Sequence, residues 1–351
     1  MSSSPQVLIA TAVDPTALSD FGGADHVLTH EAMVTALLDH GHLTLGAGDA
    51  SALFYAIDSL ESPYSRSQWN ELLIALSRFN RLDDQETRPD SIEHFLAGLE
   101  NGEGAGDCVQ LAIVGKTDAG QWEPDLRTGS HEVNGTAVVR PPFLSHASPL
   151  RQAREIGSFA DGTPRDVIAD ALIRPLASRS RVVKVLDPHL MDHVLRTAKG
   201  RRLDHTEWLV SILASAMPEG ATIELIADMP TARTVQDNGD EVPLSDALAR
   251  SLIEDAIHRA LVARGGNPIH TRATLVRAHP KKNPNRYLWF SCGATLEITH
   301  DIARLGTPRI WERVKFTRQR GEDSDHVVKT AESYEQFPSA AAKLQITISN
   351  G

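Results

Sequence analysis

The sequence predicts an α/β protein, with a smaller α/β domain first and then a C-terminal half built on a mixed sheet with helices on both faces. Three observations predict it. Short aliphatic runs bounded by turn residues recur as strands in both halves, between segments whose apolar residues fall at helical spacing. Strands and helices alternate rather than segregate, which calls for crossover connections and a parallel or mixed sheet. The chain has 351 residues, 41% of them hydrophobic, more than one core organises and suited to two or three domains.

The first strand falls at residues 6–13 and is read as buried. Residues 30–40 form a helix N-capped by Thr29 and C-capped by Gly41. A strand at 42–45 comes next. Asp49 then caps a helix carrying Leu53, Ile57 and Leu60, and a further helix carries Trp69, Leu72, Leu73, Leu76 and Phe79. Residues 1–80 thus form a small α/β module. Residues 81–150 read as a linker and irregular strand region, acidic around Asp83, Asp84 and Glu86, with a short helix at 91–99 and a strand at 108–114.

From 151 to 320 the pattern becomes regular. Helix 165–178 leads to strand 182–186, which ends in Asp187-Pro188. Helix 205–217 places Trp208, Leu209, Ile212 and Leu213 on one face. Strand 221–227 and a long helix at 244–264, striped by Leu248, Leu252, Ile253, Ile257 and Leu261, follow. Strands are then expected at 271–278, 286–292, 295–299 and 309–317. In the last, Ile310, Val314 and Phe316 alternate with Trp311, Arg313 and Lys315, which gives one apolar and one basic face. Residues 321–351 form a polar tail that can add an edge strand at 344–348.

Composition excludes several classes. No apolar run approaches the roughly 18 residues of a membrane span. The opening Met1-Ser2-Ser3-Ser4-Pro5 has no basic and apolar leader, so a cytoplasmic location is expected. Cys108 and Cys292 are too few for a disulfide framework and read as free thiols. Aromatic residues at 5% weigh against a stacking platform of the single-strand-binding type. No Gly-x-Ser-x-Gly, Cys-x-x-Cys, His-Glu-x-x-His or phosphate-loop pattern occurs. His26, His30, His40 and His42 cluster, but no cysteine supports zinc, and no metal or cofactor is expected.

Charge supplies the sharpest signal. The chain carries a net charge of −11, yet residues 270–320 hold eleven Lys/Arg against three acids. Cations concentrated in an acidic background are costly unless they face something anionic. Phosphate-binding candidates are Lys281, Lys282, Arg286, Arg313, Lys315 and Arg318, with Lys199, Arg201 and Arg202 as a second basic cluster. Asp187, Glu224 and Asp228, with Lys184 nearby, are the acids a metal-dependent nuclease would use, although Asp-Pro at a strand end is also a turn signal.

Asp187-Pro188 at a strand end, then helix, strand, long helix, strand, and a His-x-Lys triplet before a further strand pair resemble the phospholipase D-like fold over residues 165–318, in its compact single-copy form. One alignment sets Arg286-Tyr287 on the family's His-Asp-Arg-Tyr stretch and puts Pro284 at the histidine. The other sets His279-Pro280-Lys281 on His-x-Lys and puts Arg286 where the family has Asp or Asn. The resemblance implies a phosphate-binding domain of a prokaryotic defence or restriction-like system, degenerate and non-catalytic, with other protein subunits and DNA or RNA as partners. It leaves two alternatives. One is an active phosphodiesterase or nuclease, a homodimer, in which His279 attacks phosphorus and Lys281 holds the non-bridging oxygens. The other is a protein-interaction subunit whose basic face meets an acidic partner. Residues 1–150 have an element order too common to point to a family.

Overall fold

The chain divides into two units, Met1–Ile156 and Gly157–Gly351, each with a mixed sheet of its own. The computed structural model describes residues 6–19, 26–46, 49–84, 97–98, 109–116, 129–195, 204–229, 233–235, 241–243, 245–262, 268–277, 286–299, 302–319, 322–337 and 343–349.

The first unit has strands β1 (Ile9–Val13), β2 (Gly41–Leu45), β3 (Leu82–Asp84), β4 (Leu111–Ile113), β5 (Ser130–Val133) and β6 (Thr136–Val139). Their order is β3-β2-β1-β4-β6-β5, parallel throughout except for the β5–β6 hairpin. Its helices are α1 (His26–His40), α2 (Asp49–Asp58), α3 (Pro63–Arg78) and α4 (Ser148–Glu155). Central strands of a parallel sheet are covered on both sides, and β2 and β6 are buried along their whole length. Met33, Ala36 and Leu37 of α1 and Trp69, Leu72, Leu73 and Leu76 of α3 pack into the same core.

Residues 81–150 therefore do more than link. They supply β3 to β6 and the start of α4, and the first unit runs on to Ile156. The hairpin turn is Asn134-Gly135, with φ of 47° and 88°, the two left-handed residues that a two-residue turn of this hand demands. Cys108 and the expected helix at 91–99 lie outside the described residues, apart from 97 and 98. Helix α1 begins at His26, so Thr29 lies inside it rather than capping it. Gly41 opens β2 directly: a Cβ there would stand 2.8 Å from the Leu37 Cα and carbonyl oxygen, and only glycine lets α1 turn so tightly into the strand.

The end of α3 carries a second cap. Asn80 is left-handed (φ 54°), its N–H donates to Ser77 O, and the Arg81 N–H donates to Leu76 O (2.8 Å). This is a helix-terminating loop with Asn in the position glycine usually takes. It delivers Arg81 into the interior at 1% exposure. There the guanidinium donates to the carbonyls of Leu37 (2.8 Å), Leu38 (2.9 Å) and Gly41 (2.9 Å). One helix end thus provides the cation that satisfies the orphan carbonyls of another.

The second unit has an eight-stranded sheet. Its strands are β7 (Ser158–Phe159), β8 (Val182–Leu186), β9 (Thr222–Asp228), β12 (His270–Val276), β13 (Arg286–Phe290), β14 (Ala294–Ile298), β15 (Val314–Gln319) and β16 (Lys343–Ser349). Strands β10 (Arg233–Val235) and β11 (Glu241–Pro243) form a separate pair. The order is β16-β12-β9-β8-β13-β14-β15-β7, with only β8, β9 and β12 parallel. Its long helices are α5 (His205–Ala216), α6 (Asp246–Val262) and α7 (Glu322–Glu335).

The helical run at 165–177 is α-helical at both ends and π-helical over Ala169–Ile173. The Arg174 N–H reaches Ala169 O, five residues back, just before Pro175, which has no N–H to continue an α-helix. The tail does form an edge strand, β16, antiparallel to β12. It also forms α7, which the sequence reading did not anticipate. Val327, Ala331 and Tyr334 of α7 pack on Leu186, Ile226, Val276 and Tyr287 of the sheet.

The histidines of the first unit are engaged structurally. The Trp69 Nε1–H donates to His30 Nδ1 (2.9 Å), so the proton of the neutral ring sits on Nε2, which lies 3.2 Å from His26 Nε2. A spacing of 3.2 Å would suit two metal ligands, but a protonated Nε2 has no lone pair to give. Burial, then the adjacent His26, lowers the His30 pKa to about 4. His40 Nδ1 bonds Val7 O (3.1 Å), and His42 Nε2 faces Asp83 (2.8 Å).

Both buried groups can be tested by substitution. Arg81→Met leaves three carbonyls without their charged donor and should lower stability by at least about 3 kcal/mol in denaturant unfolding. Arg81→Lys recovers only part, because an ammonium lacks the planar fork. His30 folds neutral while its unfolded form titrates at 6.5, so its contribution is present above 6.5 and is lost as pH falls toward about 4. Over that window the wild type should lose about 2–3 kcal/mol more than His30→Gln, measured by denaturation at a series of pH values.

Candidate nucleic-acid interface

Strand direction gathers the site at one end of the second sheet. The C-terminal ends of β8, β9 and β12 share that end with the N-terminal ends of β13 and β15. Arg277, Asp228, Asp187, Arg286 and Lys315 therefore follow one another along it. Arg286 and Lys315 lie two strands apart, about 10 Å.

Asp187 is fully buried. Its backbone N–H donates to Ile226 O (3.1 Å) and its Oδ1 accepts the His189 N–H (2.8 Å), a turn closed on the side chain of the Asp-Pro pair. Arg286 Nε lies 3.8 Å from the same Oδ1. Asp228 accepts the Tyr334 hydroxyl (2.8 Å), and burial, then the Asp228 charge, push that phenol's pKa upward. Glu224 faces Lys184, with Arg272 3.5 Å away. These acids thus each hold a partner, and among the described residues no group of three His, Cys, Asp or Glu side chains gathers as a metal site.

Lys184 is the centre of a half-buried ion cluster. Its ammonium meets Glu224 of β9 and, at 3.2 Å, Glu335 of α7. Burial acts to lower its pKa, but the Glu224 hydrogen bond and charge, then Glu335, outweigh that and hold the pKa above its usual range.

The candidate residues do not share one face. Directly paired residues project to the same side of a sheet, and Arg286 pairs with Ile298, which pairs with Phe316. Leu296 pairs with Arg318. Arg286 and Arg318 therefore lie on the side of Phe316, and Lys315 lies on the other. The expected single basic face is instead a basic end, with Arg318 set two residues inward. Strand β15 also begins only at Val314. Residues 309 and 310 are tied to 162–164, through the Ile310 N–H to Thr163 O (3.0 Å) and a bridge from Arg309 to Pro164. Arg313 thus precedes the strand. His279, Lys281 and Lys282, and the cluster Lys199, Arg201 and Arg202, lie outside the described residues.

Among the described residues Arg313 and Lys315 are exposed and have no ion-pair partner, whereas Arg277 pairs with Asp246 and Arg304 with Glu312. Sequence reasoning did not count Arg304 or Trp311 among the phosphate-binding candidates. Arg304, with a side chain 12% exposed, reaches Glu312 (2.6 Å) and Arg313 O (2.6 Å), and its guanidinium stands 5.8 Å from the centre of the Trp311 ring. Trp311 itself is 51% exposed. A tryptophan inside a run of cations was the signal within reach.

The ion cluster sets an expectation for stability. Lys184→Met leaves Glu335 without its cation and Glu224 with Arg272 alone, 3.5 Å away, and should cost about 1–3 kcal/mol in equilibrium unfolding. The Lys184 contribution is present below its unfolded value of about 10.4 and is lost as pH rises through the higher folded value. An alkaline unfolding series should show that loss in the wild type and not in the variant.

No protein-family model, curated protein or solved structure matches the chain.

Proposed function

We propose that the second unit is a degenerate phospholipase D-like domain that binds nucleic acid through its phosphates, as a non-catalytic component of a prokaryotic defence or restriction-like assembly. The observation that carries the binding reading is the pair Arg313 and Lys315. Both are exposed and without an ion-pair partner among the described residues, on a chain of net charge −11. Exposed cations on an acidic protein suit an anionic partner, and a row of phosphates is one whose geometry guanidinium and ammonium groups fit. Arg277 and Arg286 extend the row along the same end of the sheet.

The family reading is supported by the order of elements, by Asp187-Pro188 at the end of β8, and by Arg286-Tyr287 at the start of β13. The non-catalytic reading is supported in either alignment, by Pro284 at the family's histidine in the one and by Arg286 at its Asp or Asn in the other. The defence context comes with the resemblance alone.

The test is binding of the full-length protein to duplex DNA, single-stranded DNA and RNA across a salt series. Affinity should fall linearly on logarithmic axes. Arg313→Ala/Lys315→Ala should weaken it and flatten the slope by about 0.7–0.9 for each phosphate no longer neutralised. Both side chains lie at the surface, so the double variant should keep the wild-type melting temperature. No binding at low salt overturns the proposal. Cleavage of the bound strand, abolished in His279→Ala, replaces it with the phosphodiesterase reading.

A further inference from the structure

We infer that Trp311 is a stacking platform for an unpaired base, so that the partner of this surface is a single-stranded nucleic acid. The inference rests on the phosphate-binding reading above and adds to it the form of the strand.

The first observation is exposure. Trp69 and Trp208 are 0% and 3% exposed, Trp289 is partly buried, and among the described residues Trp311 alone is open to solvent, at 51%. A lone exposed apolar residue is ordinary on a protein surface. What separates Trp311 is the way its backbone and ring are held.

Ile310, just before it, is 1% exposed and anchored on both polar groups. Its N–H donates to Thr163 O (3.0 Å) and its carbonyl accepts the Gly162 N–H (2.9 Å). Arg309 Nη1 donates to Gly162 O (2.8 Å). Just after it, the Arg313 carbonyl is held by Arg304 Nη1 (2.6 Å). The tryptophan therefore sits on a short bend pinned at both ends, and Arg304 lies against its ring. A ring ordered before binding loses little entropy on stacking.

The second observation is the charge around the ring. Glu312 would repel a phosphate, but Arg304 Nη2 holds its carboxylate at 2.6 Å. Arg313 and Lys315 follow within two and four residues, so their Cα atoms lie within about 7 and 14 Å of that of Trp311. A π-face with exposed cations close by is the pairing by which proteins hold single strands, because every base offers a face to stack and every nucleotide a phosphate. In a duplex those faces are covered by neighbouring base pairs and closed to an indole. One ring and a few cations make a site for one or two nucleotides, in keeping with the low aromatic content of the chain.

The test uses the full-length protein with a labelled thymidine homopolymer, which has no self-complement, and a duplex of equal length, at low salt. Wild type should prefer the single strand. Trp311→Ala should weaken single-strand binding about 10-fold or more and leave duplex binding unchanged, while Trp311→Phe keeps most of the affinity. Tryptophan fluorescence should be quenched by the single strand in wild type and much less in Trp311→Phe. If Trp311→Ala binds the single strand as well as wild type while Arg313→Ala/Lys315→Ala does not bind it, stacking is overturned and phosphate binding stands. Equal weakening on single strand and duplex also overturns stacking. Absence of all binding by wild type overturns both readings.

Discussion

Lys184 is the constraint around which the second unit is organised. A cation in the middle of a sheet is tolerable only when carboxylates surround it, and here they come from two directions, Glu224 on the neighbouring strand and Glu335 on the C-terminal helix. The cluster therefore ties α7 to the sheet. Tyr334, one residue earlier, bonds Asp228, and Val327 and Ala331 bury the rest of the contact. With α7 lying over β8, β12 and β13, and Ser324 reaching Thr295 of β14 (2.7 Å), Lys315 and Thr317 of β15 stay exposed. The ion cluster thus helps set which part of the sheet the C-terminal helix covers and leaves Lys315 and Thr317 of β15 open.

The sequence displayed most of the second unit, because aliphatic strands and amphipathic helices announce themselves by period. It misled where local period depends on where a strand begins. Counting from Ile310 sets Trp311, Arg313 and Lys315 on one side, but 309–310 are bonded to 162–164 and the ladder starts at Val314. The side that Arg286 takes is set by its pairing with Ile298, and register between distant strands is not written in either strand alone. Helix α7 was hidden because only Val327, Ala331 and Tyr334, in a largely polar stretch, carry its apolar stripe.

In the first unit the missed signals were short. Asn134-Gly135 ahead of the apolar run Thr136–Val139 is a hairpin signature, and reading it would have placed β5 and β6 in a sheet rather than in a linker. Asn80 is the left-handed residue that ends α3, but the destination of Arg81 was not legible. Nothing local distinguishes an arginine bound for solvent from one that caps a helix forty residues earlier. Thr29 looked like an N-cap because Ser and Thr usually are. The helix is already under way there, having begun at His26.

An acidic chain with a small basic end differs physically from a basic nucleic-acid-binding protein. At physiological ionic strength a charge is felt over about 8 Å, so the acidic remainder does not cancel a contact made at Arg313 and Lys315. It does remove long-range attraction: approach from a distance is unassisted, and non-specific adhesion to duplex is suppressed. Affinity must then come from what happens at contact, and cations alone, on so few residues, give little of it. Stacking is insensitive to net charge and to salt, and a pre-ordered tryptophan adds to phosphate contacts the term that electrostatics cannot supply here. On the proposed reading, the pairing of Trp311 with Arg313 and Lys315 is what would let a surface this small hold an anionic strand despite the charge of the rest of the molecule.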